Sequence, residues 1–340
     1  MKSLYIGLAL ITGLLFASCK KESKHLAVVT PTVYVAGYVQ TSSRINIPTL
    51  WTNGVATNLT DDTHSGAATS MFINGTDIYV VGNESRGGIG VAILWKNGVA
   101  TYLSDGTYDA FPYSVYVYGT DVYVAGYVKN YFTATLWKNG VPTYLAGGTY
   151  NDFAVANSVY VNGTDVYVVG NDYGQGKALL WKNGAATDIT DGAYLDYPES
   201  VVVNGTDVYV AGGVTDASNA FGIATLWKNG VATNLTDSTT YAGARSVYVS
   251  GTDVYVAGQV QNSSGITVAT LWKNGVATDL SDGTMNTTAA SVYVNGSDVY
   301  VVGGESYDNG NTTVKLWKNG VVTNLTDGTS GASAFTVIVK

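Results

Sequence analysis

Ser158-Val-Tyr-Val-Asn-Gly-Thr-Asp-Val-Tyr-Val-Val-Gly170, followed by Ala178-Leu-Leu-Trp-Lys-Asn-Gly184, decides the fold. Alternating Val and Tyr has the two-residue period of a β-strand, and nothing in the stretch has a helical period. Asn-Gly dipeptides tolerate the positive φ of tight type I′ turns, so they punctuate the stretch into two hairpins. The reading predicts four strands, A to D, at 158–161, 166–169, 178–181 and 186–189.

The same unit recurs along the chain. Trp51, Trp95, Trp137, Trp181, Trp227, Trp272 and Trp317 are spaced 42–46 residues apart, each preceded by Leu and followed by Lys-Asn-Gly, or Thr-Asn-Gly in the first copy. A period near 45 residues marks a propeller or a solenoid, whose units need neighbours to bury their faces. Four-stranded meanders repeated seven times predict an all-β, seven-bladed β-propeller of antiparallel blades over residues 31–340. The terminal Ser333-Ala-Phe-Thr-Val-Ile-Val-Lys340 aligns with strand A, whereas the unit starting at Thr32 supplies only B, C and D. The C-terminal strand is therefore expected to complete the first blade, with Leu26-Ala-Val-Val29 competing for that place.

Residues 1–18 read as a signal peptide: Lys2 is a positive n-region, and the apolar run from Leu4 to Ala17 is too short for a membrane span. Leu15-Phe16-Ala17-Ser18-Cys19 resembles a bacterial lipobox, which makes Cys19 a lipidation site and residues 19–30 a tether; the alternative is a free thiol beside an ordinary cleavage site. Cys19 is the only cysteine, so the chain has no internal disulfide. These features predict an exported, lipid-anchored protein of the cell envelope, expected at the outer membrane and monomeric. The net charge is −8, with 17 basic against 25 acidic residues and no basic block, which argues against nucleic-acid binding.

In an up-and-down blade the A–B and C–D turns share one face, and the B–C loops and D–A connections share the other. The first face repeats Asn-Gly-Thr-Asp and Lys-Asn-Gly almost unchanged, whereas the B–C loops at 40–48, 83–90, 171–176, 215–221 and 305–312 differ. Function is expected on the variable face. One residue before each predicted strand A varies in a fixed frame: Thr69, Tyr113, Asn157, Glu199, Arg245, Ala290 and Phe335, each preceded by Ala or Pro. They are candidate ligand contacts at the channel mouth; alternatively, Glu199 and Arg245 pair across neighbouring blades. Aromatics gather in the same connections, including Tyr108, Phe111, Tyr150, Phe153, Tyr194, Tyr197, Tyr241, Tyr131, Phe132, Tyr173 and Phe221. Such aromatics suit sugar rings and protein partners alike, and some must pack between blades. The seven Trp are expected to be packing residues.

Catalytic chemistry is sparse. His25 and His64 form no metal pair, no nucleophile motif is present, and no cofactor is expected. Asp109, Asp152, Asp172, Asp196, Glu199, Asp216, Glu305 and Asp308 lie outside the repeated framework and could supply the pair that a carboxylate hydrolase or lyase needs. The Leu-Thr/Ser-Asp-Gly stretches at 103–106, 280–283 and 325–328 offer one acid each, which reads as a turn rather than a calcium loop.

The Val-Tyr-Val-Ala-Gly and Leu-Trp-Lys-Asn-Gly units, with the Ser18-Cys19-Lys20-Lys21 start, resemble those of Bacteroidetes-type β-propeller lipoproteins. That resemblance implies a fold and no activity. Neither the Gly-His…Trp-Asp signature of WD40 repeats nor a double glycine in every unit, the hallmark of kelch repeats, occurs. The expected function is a non-catalytic binding or scaffold protein engaging a protein or peptide partner, with a glycan-binding propeller as the alternative.

Overall fold

The computed structural model describes residues 30–129, 132–147, 153–190, 196–215 and 222–340. Residues 1–18, Cys19 and Leu26 to Val29 lie outside these, as do Tyr131, Tyr150, Asp152, Tyr194, Asp216 and Phe221. Thr32–Lys340 is one compact unit, separate from Met1–Pro31. It holds seven four-stranded antiparallel sheets, the blades of a propeller. Blade 4 shows the plan, with strand A at Ala154–Asn162, B at Asp165–Asp172, C at Lys177–Lys182 and D at Ala185–Asp188. No helix among the described residues is long and apolar enough to cross a membrane.

The C-terminal strand Ala332–Val339 pairs antiparallel with Val33–Gln40 and becomes strand A of blade 1. Thr32 and Lys340 exchange two backbone hydrogen bonds of 2.6 and 2.9 Å where the ends meet. The ring is thus closed by a strand from each end of the propeller.

Each C–D turn has positive φ at both central residues, such as 51° at Asn183 and 82° at Gly184, the type I′ pattern. The A–B turns differ from the sequence reading. In blade 4 strand A runs through Asn162, which pairs with Asp165, so the loop residues are Gly163 and Thr164 and only Gly163 has positive φ. Positive φ at the first central residue alone is the type II′ pattern. Asn162 is thereby freed to donate its side-chain amide to the Gly205 carbonyl of the next blade, at 3.0 Å.

Strand A also begins four residues earlier than the alternation suggested, because a β-bulge interrupts it. In blade 4 Ala156 faces Gly170 and Ser158 faces Val169, which leaves Asn157 as the extra residue. The same shift passes over Thr69, Tyr113, Glu199, Arg245, Ala290 and Phe335 in the other blades. These seven residues therefore lie within strand A, not before it. The bulge forces close backbone approach: a Cβ on the facing Gly37, Gly82, Gly126, Gly170, Gly212, Gly258 or Gly303 would sit 1.8–2.2 Å from a carbonyl oxygen. The residue after the bulge supplies the link to the next blade. Ser70, Ser114, Ser158, Ser200, Ser246 and Ser291 each accept, at 3.1–3.3 Å, a backbone N–H from the neighbouring strand A.

Blades pack through seven hydrophobic clusters, each centred on one Trp and drawing from two adjacent blades. All seven Trp are at most 1% exposed. Trp181 of blade 4, for example, packs with Tyr123, Ala125 and Ala134 of blade 3, and Trp51 joins blade 1 to Val302 and Val314 of blade 7. An aromatic of this size removes roughly 150–250 Å² from water, so these are the largest single apolar contributions to the ring. On the repeated face, Lys96–Asp77 and its five equivalents form ion pairs of 2.7–2.8 Å. They are solvent-screened and neutralise the rim more than they hold it together.

Gly212→Ala and Gly213→Ala separate backbone approach from simple loss of glycine. A Cβ at 212 would lie 2.1 Å from the Tyr197 carbonyl oxygen, whereas one at 213 meets nothing closer than 3.7 Å. Urea unfolding should show Gly212→Ala destabilised by about 1–3 kcal/mol, the usual range of overpacking. Gly213→Ala should stay within about 0.5 kcal/mol of the parent.

Candidate functional site

The bulge turns its extra side chain toward the channel, and the seven bulge residues converge. Thr69, Tyr113, Asn157, Glu199, Arg245, Ala290 and Phe335, with Val155 and Tyr173, line one cavity of about 520 Å³. Two further cavities share its walls. One, of about 390 Å³, lies among Tyr113, Tyr127, Phe132, Phe153, Val155 and Tyr173. The other, about 320 Å³, runs from Glu199 and Arg245 past Gly213 and Gln259 to Tyr241. Their sizes fall in the ordinary range for ligand sites. Three residues further along strand A, Phe72, Tyr116 and Tyr160 make tilted ring contacts at 4.5 and 4.7 Å, and Tyr248 meets Tyr293 at 4.9 Å.

The candidates do different work. Thr69 donates its hydroxyl to the Pro112 carbonyl at 2.7 Å, and the Asn157 amide donates to the Pro198 carbonyl at 2.8 Å. Both ties reach the next blade and leave those groups engaged. Phe335 packs against Tyr38 at 6.2 Å, and Tyr113 against Tyr127 at 5.7 Å. Arg245 donates its Nε to Gln259 Oε1 at 2.8 Å. Glu199 has neither a hydrogen bond nor an ion pair among the described residues, so the sequence alternative in which it pairs directly with Arg245 is not what the structure contains.

The reason lies in strand B. The residue following each bulge-facing glycine sits under its own blade's bulge side chain: Tyr38 under Phe335, Tyr127 under Tyr113, Asn171 under Asn157 at 3.1 Å, and Gln259 under Arg245. In blade 5 that residue is Gly213, which offers Glu199 nothing. The strand-B positions were missed in the sequence, although they carry the same signal as the bulge residues: a variable residue directly after the near-constant Val-Tyr-Val-x-Gly, which is Ile78-Tyr-Val-Val-Gly82 in blade 2.

One flank of the site is aromatic. Phe111 and Tyr127 stack at 5.2 Å, Tyr127 and Phe132 at 5.3 Å, Phe132 meets Phe153 edge-on at 5.5 Å, and Tyr173 approaches Tyr197 at 6.4 Å. Burial, then the nearby Glu199 charge, pushes the Tyr173 phenol up to about 12. Burial and a hydrogen bond with Tyr127 raise Tyr113 as well, so both remain neutral donors at physiological pH. Glu199 is exposed to the cavity, although protein surrounds it on most sides. That loss of bulk solvent raises its pKa above the usual carboxylate value, and the Arg245 charge opposes the shift more weakly.

A second group of polar residues assembles at the outer edge of blade 2. Asp61, His64 and Glu84 bring ligand-type atoms within 4.8 Å of one another, a cluster that sequence reading missed because Glu84 lies a strand away. Their chemistry is already committed. Arg86 binds the Glu84 carboxylate at 2.9 Å, and Asp61 accepts the Thr63 backbone N–H at 3.1 Å and its hydroxyl at 2.5 Å. This is an ion-pair network rather than a metal cradle. The Asp-x-Thr connections after other blades repeat the local turn, as at Asp282 and Thr284, so the Leu-Thr/Ser-Asp-Gly stretches are Asx-turns, in line with the sequence reading.

No protein-family model matches the chain, and no curated protein sequence matches it. Among solved structures, the β-propeller domain of the Trilobed protease from Pyrococcus furiosus, described as having an open velcro topology, matches at 10% identity and a TM-score of 0.50, over 88% of this chain and 95% of that one. The likeness is one of fold. An acylaminoacyl peptidase from Pyrococcus horikoshii matches at 12% identity and a TM-score of 0.50 over 88% of this chain, which spans about half (52%) of the peptidase. TolB from Acinetobacter baumannii matches at 10% identity and a TM-score of 0.49, over 89% of this chain and 65% of that one.

The Glu199 shift has a signed consequence. A carboxyl whose folded pKa is raised loses stability as pH rises through that value, whereas its contribution is full below the unfolded value. Glu199→Gln should therefore melt higher than the parent at pH 7, where Arg245 is the other charge facing it. The difference should vanish at about pH 3.5, below the ordinary carboxylate pKa. Thermal melts at the two pH values measure it.

Proposed function

We propose that the protein is a non-catalytic binding protein of the bacterial cell envelope, anchored through lipidated Cys19, that holds a peptide segment of a partner protein at the channel mouth. One observation carries this reading. The repeated framework produces a single asymmetric site, walled by Tyr113, Tyr127, Phe132, Phe153 and Tyr173 and edged by Glu199 and Arg245. Aromatics and arginine are the residues that supply most affinity where proteins meet.

A peptide suits the site better than a saccharide. Sugar hydroxyls need several free donors and acceptors, and the Thr69 hydroxyl and Asn157 amide are engaged with the Pro112 and Pro198 carbonyls. Catalysis lacks a pair of acids: Glu199 is the only carboxylate lining the three connected cavities among the described residues. Glycoside hydrolysis ordinarily requires two.

Peptide and glycan arrays probed with the purified full chain test the reading. The expected result is selective capture of peptides, weakened roughly thirtyfold in Tyr113→Ala/Tyr173→Ala, the loss typical of a buried aromatic anchor. Glycan capture without peptide capture would transfer the site to the lectin reading.

A further inference from the structure

Glu199 stands exposed in the open cavity without a partner among the described residues. Polar bulge side chains elsewhere in the ring each have a hydrogen-bond partner on strand B of the same blade or on a carbonyl of the next, whereas Glu199 faces Gly213 and open space. Surrounded by protein on most sides and given no hydrogen-bonded partner, its charge adds nothing to the fold that the isosteric amide would not. The nearest cation is held away: Gln259 fixes the Arg245 Nε, and no Glu199–Arg245 contact falls within ion-pair distance among the described residues.

The surroundings state what is missing. Tyr113 and Tyr173, both neutral, lie near enough to feel the Glu199 charge, and the aromatic wall continues from them. A carboxylate beside aromatic rings is the environment that favours an ammonium group, through charge-assisted hydrogen bonds to the acid and attraction to the ring faces. Beyond Nε, the Arg245 guanidinium has no partner among the described residues. It repels a bare diamine and accepts an ammonium that arrives on a segment bearing a carboxylate or carbonyl oxygens.

Building on the peptide reading, we propose that Glu199 anchors a primary ammonium of the bound segment, flanked by Tyr113 and Tyr173, with Arg245 binding a carboxylate or main-chain carbonyl alongside it. The ammonium comes from a lysine side chain or from a free amino terminus. Gly213 is the specificity determinant, since its lack of a side chain keeps the acid unpaired.

A peptide array printed in native, amino-terminally acetylated and lysine-acetylated forms, probed with the full chain, tests this. Blocking one of the two amine types should lower capture at least tenfold, or about 1.4 kcal/mol, and which one does so identifies the source. Glu199→Gln should lose the same signal and become indifferent to acetylation. Gly213→Gln should behave alike by placing an amide donor where Asn171 and Gln259 stand in their blades, and a Cβ there has room. Melting curves establish that both variants are folded, and Glu199→Gln is isosteric should the larger side chain disturb the blade. Peptides captured equally after both amines are acetylated, and equally by Glu199→Gln, would overturn the ammonium site while leaving peptide binding intact. Absence of any peptide capture by the parent would overturn both.

Discussion

One inserted residue in each innermost strand is the constraint on which the propeller depends. The bulge brings strand A so close to strand B that only glycine fits opposite it, with carbonyl oxygens where a Cβ would be. It bends the strand at the ring's centre and aims one side chain per blade at the channel. It also sets Ser70, Ser114, Ser158 and their equivalents to receive a backbone N–H of the next blade. The inner edge of a blade is an unpaired strand, and edge groups left open invite foreign pairing. Here they become the links of the ring.

The Trp clusters perform the corresponding task farther out. Each Trp on strand C fills the gap to the preceding blade, so every interface repeats one solution, and the interface between blades 7 and 1 differs only in drawing on both ends of the propeller. A single failed interface would leave two blades with apolar faces in water. Seven near-identical copies of Leu-Trp-Lys-Asn-Gly reflect that shared requirement, which is why the repeats vary so little where blades touch and so much where loops meet solvent.

Much of this was legible from the residues. Trp spacing, Asn-Gly turns and the unmatched terminal strand give seven blades and their closure because they reflect local backbone chemistry repeated many times. The bulge was harder to see: a broken alternation reads as the end of a strand, so Thr69, Tyr113, Asn157 and their equivalents were placed ahead of strand A rather than inside it. The A–B turn was misassigned because Asn162 looks like a turn residue and acts as the last paired residue of a strand. Contacts between variable positions were out of reach. That Gln259 lies beneath Arg245, or Glu84 beside His64, depends on strand register and loop course, which no single stretch encodes.

In a protein of near-identical repeats, the informative positions are those where the framework's own compensation fails. Asn157 with Asn171 and Arg245 with Gln259 show the framework providing a polar partner wherever a polar side chain enters the channel. Ala290 above Gly304 shows it omitting the partner where none is needed. Glu199 above Gly213 breaks the pattern, because an acid enters the channel and the fold supplies it no partner among the described residues. Stability gives no reason to keep a charge there. A ligand that neutralises it does, and the aromatic wall beside it narrows what that ligand can be.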